Sequence, residues 1–113
     1  VVRQEAVVRL GFSGMRKRLR IIYSGRVQGV GFRATVAHLA RNLPVEGAVW
    51  NRRDGRVELV VEGEESAITQ LLEEIRATHL APRIESFDSA WEEPTGKLRG
   101  FVIHLEEEFL SGG

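Results

Sequence analysis

Apolar residues at strand and helix spacing divide most of this chain into alternating segments. Leu19, Ile21 and Tyr23 alternate with Arg20, Ile22 and Ser24, the period of a strand with one buried face. Phe32, Val36, Leu39, Ala40 and Leu43 then recur every three or four positions, which predicts a helix over Phe32–Leu43. Pro44 closes it, because a residue before proline is disfavoured in the α region. A second strand is expected over Val45–Arg53. A third starts at Val57, where Val57, Leu59 and Val61 alternate with Glu58, Val60 and Glu62 until Gly63. Asp54-Gly55 between them is a hairpin signal. Ile68, Leu71, Leu72 and Ile75 predict a second helix from about Glu64 to Thr78. Pro82 marks the return into a fourth strand, Ile84–Glu92. Pro94-Thr95-Gly96 turns the chain toward a short last strand carrying Phe101, Ile103 and Leu105.

The order β-α-β-β-α-β with an added β predicts the α+β class. The expected architecture is a ferredoxin-like sandwich, an antiparallel sheet with two helices on one face. Residues 1–14 fit this scheme poorly, whereas Met15-Arg16-Lys17-Arg18 leads into the first apolar segment as a native start would. The domain is therefore expected over 15–106, with 1–14 an extension outside it and 107–113 a solvated tail. The alternative for the extension is an edge strand over Ala6–Leu10.

At 113 residues the chain can bury one core but not two. Lys plus Arg equals Asp plus Glu at 16 each, so no global field favours nucleic acid or a membrane, and attraction for an anion must be local. The absence of cysteine removes disulfides, thiolate nucleophiles and cysteine metal sites together. With no membrane-length apolar run and no secretory leader, the expected location is cytoplasmic. His38, His79 and His104 lack the pairing of a metal motif, so neither metal nor cofactor is expected. Glu64-Glu65 and Glu73-Glu74 read as solvated helix faces, Arg16 to Arg20 as solvated flanks of the first strand, and Trp91 as partial core.

The chemistry concentrates in Gly25-Arg26-Val27-Gln28-Gly29-Val30-Gly31-Phe32-Arg33, which runs from the end of a strand into the start of a helix. Glycine admits positive φ and close approach of a ligand. Successive main-chain N–H groups at such a bend form an anion nest, and the helix N-terminus adds to the same field. Arg33 can grip two phosphate oxygens with its planar fork. The stretch reads as a phosphate cradle formed by Gln28, Gly29, Val30, Gly31 and Phe32, with Arg33 as counter-ion. Its glycine spacing is neither that of a Walker loop nor that of a dinucleotide fingerprint. A glycine-rich turn with a solvated arginine is the plainer reading of the loop taken alone.

The loop resembles the acylphosphatase signature Gly-x-Val-Gln-Gly-Val-x-Phe-Arg at every specified position. That family's second signature, Asn followed by Gly-x-Val and a later Gly, is met by Asn51, Gly55, Val57 and Gly63. The resemblance covers roughly Leu19 to Leu105. It implies the ferredoxin-like fold, metal-free hydrolysis of acyl phosphates, Arg33 as the phosphate-binding arginine and Asn51 as the residue that positions water. The residues suit that economy. Asn is depleted in strands, so Asn51, expected mid-strand, is at a sheet edge or there for a reason. An acyl phosphate leaves as a carboxylate, whose conjugate acid has a pKa of about 4, so no general acid is required. Charge on the phosphoryl oxygens can be met by fixed N–H groups and one arginine.

Three positions depart from the family pattern. An aromatic is usual three residues before the asparagine and a basic or small residue just before it; here those places hold Ala48 and Trp50, which share one strand face. Tyr23 occupies a usually aliphatic position. Three other functions share the plan. A single RNA-binding module would stack bases on strand aromatics, but the third strand is aliphatic and acidic. An acylphosphatase-like module could serve carbamoyl phosphate chemistry, as in hydrogenase maturation proteins. A relative could bind phosphate without turnover. The expected partner is a small acyl phosphate, met by a monomer without nucleic acid or membrane.

Overall fold

A computed structural model describes residues 15–105 of the protein. The extension at 1–14, with its alternative strand over 6–10, and the tail beyond 105 lie outside the described residues. Strand β1 (Arg16–Gly25) leads through the glycine loop into helix α1 (Phe32–Ala40). Strands β2 (Val45–Asn51) and β3 (Val57–Glu64) form a hairpin. Helix α2 (Glu65–Arg76) and a 3-10 turn (Ala81–Arg83) then lead to β4 (Ile84–Glu92) and the short β5 (Phe101–His104).

The sheet order is β4-β1-β3-β2-β5. The first four strands run antiparallel to their neighbours, as in a ferredoxin-like sandwich, and β5 extends the sheet parallel to β2, making it mixed. Helix α1 lies over β2 and β5, and α2 over β3 and β1. The alternation read in the sequence selects the inner face. Leu19, Ile21 and Tyr23 of β1, Val49 of β2 and Val57, Leu59 and Val61 of β3 share one core with Phe32, Val36, Ile68, Leu71 and Ile75 of the helices. Fully burying each large aliphatic of this set contributes about 1.5–3 kcal/mol.

Element ends differ in instructive ways. Helix α1 stops at Ala40 rather than Leu43, and its last turn tightens, with Asn42 and Leu43 donating to Leu39 and Ala40 three residues back. Strand β2 ends at Asn51 rather than Arg53, because Arg52 and Arg56 already face each other across the neck of the turn.

The outer face of the sheet is not simply solvated. Glu58 and Glu62 of β3 are buried there. Arg18 pairs with Glu62 at 2.8 Å and with Glu92 at 3.0 Å, while Arg20 bridges Glu58 and Glu92. The basic residues 18 and 20 are thus half-buried members of an ion-pair network, not solvated flanks. Beside them Ala48, Trp50 and Val60 form a second apolar cluster, covered in part by Leu98 from the β4–β5 connection. Trp91 is 49% exposed, with the Lys17 ammonium 5.3 Å from its ring centre, so it is an edge residue rather than core.

Candidate active site

The chain leaves β1 at Gly25 and must return to α1 across the end of the sheet. Val27 and Phe32 anchor the two sides of this loop in the core, and the Phe32 ring meets Tyr23 edge-on at 5.2 Å. Between the anchors Gly29 (φ 76°) and Gly31 (φ 84°) lie in the left-handed region, where a Cβ is costly. Gly31 is also the N-cap of α1. No side chain caps that end, and its first turn carries no acidic residue. The N–H groups from Gln28 to Ala34 donate to no protein acceptor among the described residues. They are open to an anion, and the helix dipole favours one there.

Arg33 is the second residue of α1. Its Nη1 donates to the main-chain carbonyl of His104 at 3.2 Å, which orients the guanidinium and leaves the rest of its fork available. With Val27, Gly29 and Gly31 it lines a cavity of about 150 Å³. Burial pushes the Tyr23 hydroxyl well above its usual range, so that ring packs neutral against Phe32 and lines no part of this cavity.

Asn51 closes β2, at the end of the strand rather than in its middle. By strand alternation it shares the inner side with Val45 and Val49. Its Oδ1 is buried and receives no hydrogen bond from the described residues. A buried amide oxygen left unpaired costs free energy, so a donor is wanted at that point. Asn51 and Gln28 line a second cavity of about 320 Å³ together with Arg52, Arg53 and Leu105.

Two contacts bring these parts together. In the parallel β2–β5 ladder Trp50 is paired with His104. The carbonyl that holds Arg33 therefore sits beside the residue preceding Asn51. The Gln28 side chain donates to the carbonyls of Arg52 and Arg56, at 2.7 and 3.0 Å, across the hairpin that follows Asn51. That hairpin is itself stiffened by Asp54, which accepts from the Arg56 main chain at 3.1 Å and from the Arg56 and Arg52 guanidiniums. The bond from Arg56, with the others behind it, holds the Asp54 carboxyl well below the usual carboxylate range.

Sequence reasoning missed His104 as the anchor of Arg33. It missed, too, that the Gln28 side-chain amide points away from the loop. The first contact uses a carbonyl, which carries no residue signature, and depends on how β5 pairs. His38 and His79 are exposed, and the His104 ring packs edge-on to Trp50 at 6.3 Å. Among the described residues no group of three or more His, Cys, Asp or Glu could hold a metal ion. No described helix is long and apolar enough to cross a membrane.

The acylphosphatase family model matches residues 19–103, a span that holds the loop, Arg33, Asn51 and the hairpin. The chain belongs to the acylphosphatase family. An acylphosphatase of Roseiflexus sp. (strain RS-1) is 46% identical over 86 residues, covering 76% of this chain and 92% of that relative. The crystal structure of acylphosphatase from Bacillus subtilis matches with a TM-score of 0.72 and 34% identity, covering 80% of this chain and 99% of that one. A full-length HypF in a phosphate- and nucleotide-bound form matches with a TM-score of 0.72 and 29% identity, but the acylphosphatase fold seen here spans only 13% of it. Within the family frame the displaced aromatic has a clear place. Trp50 and Ala48 lie side by side on the outer face with Val60, so the departure alters packing there and leaves Asn51 on the opposite side.

Proposed function

We propose that this acylphosphatase hydrolyses acyl phosphates to a carboxylate and inorganic phosphate without a metal ion. The Gln28–Phe32 loop and Arg33 bind the phosphoryl group, and Asn51 positions the attacking water. The observation that carries the reading is the buried Oδ1 of Asn51, unpaired among the described residues, on a cavity shared with Gln28 of a loop whose N–H groups have no described acceptor. In the reaction a water oxygen bonds to phosphorus as the phosphorus–acyl oxygen bond breaks. The bonding pair leaves with the carboxylate, and the water proton passes to solvent. An amide cannot take that proton, but its oxygen can accept a hydrogen bond from the water and aim a lone pair at phosphorus. The loop N–H groups and the Arg33 fork meet the charge on the equatorial oxygens.

The functional unit in this reading spans residues 15–106 and acts as a cytoplasmic monomer on a small molecule, with neither nucleic acid nor membrane as partner. The likeness to a small part of HypF supports a second reading, an acylphosphatase-like module that serves a larger protein; carbamoyl phosphate is the substrate the resemblance implies for it. Phosphate release from a simple acyl phosphate, with and without chelator, tests the first. The same assay with carbamoyl phosphate separates the two: turnover restricted to carbamoyl phosphate favours the specialised module, and release from neither sinks the enzymatic reading.

A further inference from the structure

Gln28 lies in the phosphate loop, yet its side-chain amide is spent elsewhere. Nε2 donates to Arg52 O at 2.7 Å and to Arg56 O at 3.0 Å. A primary amide has two donor hydrogens, and both are used. The two acceptors form the neck of the β2–β3 hairpin, where Arg52 N donates to Arg56 O at 2.8 Å and Gly55 N to Arg52 O at 3.2 Å. Arg52 is the residue immediately after Asn51.

We infer that Gln28 is a positioning residue, a clamp that holds the phosphate loop and the Asn51 amide at a fixed separation. The inference rests on the proposed roles of the loop, Arg33 and Asn51, and supplies what relates them. The loop needs such a tie because Gly29 and Gly31 make it conformationally permissive. The hairpin can serve as the fixed end, since Asp54 staples its turn and Arg52 is further paired with Glu58 at 2.7 Å. Only a side chain with two donors at this reach can bridge both carbonyls. Asn is one methylene too short, Met has no donor, and Glu would set a carboxylate against two carbonyl oxygens. In-line attack is sensitive to misplacement on the ångström scale, so a loosened clamp should slow chemistry more than it weakens phosphate binding.

The test is a double-mutant cycle between Gln28→Met and Asn51→Ala, read as kcat, KM and inhibition by inorganic phosphate. Gln28→Met should lower kcat roughly ten- to a hundredfold with phosphate inhibition close to wild type. Adding it to Asn51→Ala should cost little more, because Gln28 acts through Asn51. Gln28→Asn should give the same pattern, and it is the variant to read if methionine unfolds the chain. Amide hydrogen exchange at Arg52 and Gly55, the N–H groups that close the neck, should quicken in either variant, which reads the clamp without reference to turnover. Unchanged kcat and exchange in the Gln28 variants would overturn the clamp. So would losses that multiply in the double variant, or weakened phosphate inhibition, which would make Gln28 a direct ligand. If Asn51→Ala alone lost binding and turnover together, the water-positioning role would fail while the exchange result still judged the clamp.

Discussion

Arg33 and His104 are joined by one hydrogen bond, from the guanidinium Nη1 to the main-chain carbonyl at 3.2 Å. It ties the first turn of α1 to β5, an edge strand of the sheet. Because that strand is registered on β2 with His104 opposite Trp50, the bond also sets Arg33 against the end of the strand that carries Asn51. A side chain with five N–H donors can give one to such an anchor and keep a fork for an anion.

Removing that fork should weaken ground and transition states alike. Arg33→Ala is expected to lose on the order of 2–4 kcal/mol of transition-state stabilisation and to bind inorganic phosphate less tightly. Arg33→Lys should also be impaired, since a point ammonium cannot hold the His104 carbonyl and two phosphoryl oxygens in one plane. Competitive inhibition by phosphate in both variants checks this. An alanine variant with wild-type phosphate affinity would remove Arg33 from the cradle.

Asn51→Ala should separate binding from chemistry. Loss of the oxygen proposed to orient water is expected to lower kcat on the order of a hundredfold or more, with KM and phosphate inhibition nearly unchanged. The variant should not be unstable, because the wild-type Oδ1 has no hydrogen-bond partner to lose among the described residues. Steady-state kinetics beside a thermal melt decides the matter; a parallel fall in affinity would reassign the residue to phosphate binding or to structure.

Hydrolysis should be indifferent to chelators. The expectation comes from the leaving group, a carboxylate whose conjugate acid has a pKa of about 4 and which needs no Lewis acid to depart. Phosphate release before and after EDTA treatment measures it, and activity lost to EDTA and restored by a divalent ion would refute it.

Acid should destabilise the fold through Glu62. Burial opposes its ionisation, but hydrogen bonds from the Thr95 main chain, Arg18, Gly96 and the Thr95 hydroxyl outweigh that and lower its pKa from 4.5 to about 2. A depressed folded-state pKa contributes stability above the unfolded value, lost as pH falls through the folded one. The melting temperature should therefore drop between pH 4.5 and about 2. Glu62→Gln should flatten that part of the profile and, by leaving Arg18 less well paired, cost on the order of 1–3 kcal/mol at neutral pH.

Gly47→Ala should destabilise the protein although nothing marks Gly47 chemically. A Cβ there would lie 2.1 Å from the Val60 carbonyl oxygen of β3 and 2.9 Å from the ring of Phe101, the first residue of β5 and the one paired with Gly47. The backbone oxygen cannot move aside without disturbing the ladder, so a loss of about 1–3 kcal/mol or more is expected. Denaturant unfolding of the variant measures it; an unchanged midpoint would mean that the strands separate there at little cost.

Much of the fold was legible because alternation and helical spacing are local signals. The runs Leu19-Ile21-Tyr23 and Val57-Leu59-Val61 each named the face that meets the helices, and both faces are in the core. The loop and Asn51 stood out as candidates for a different reason: glycines at set intervals and an amide in a strand are costly choices that call for a local cause. Harder to read were contacts between segments far apart in the chain. Arg18 and Arg20 looked like solvated residues because their burial depends on Glu92 and on the connection that carries Thr95 and Gly96 over β3.

The sequence by itself determined the order and type of the elements and the inner faces of β1 and β3. Those follow from backbone preferences and from side-chain period, which act over a few residues. Only the tertiary structure decided that β5 joins β2 in parallel, that a carbonyl of His104 orients Arg33, and that Gln28 spans from the loop to the hairpin neck. Each of those rests on main-chain carbonyls, which every residue carries alike, so only their placement by the folded sheet makes them specific.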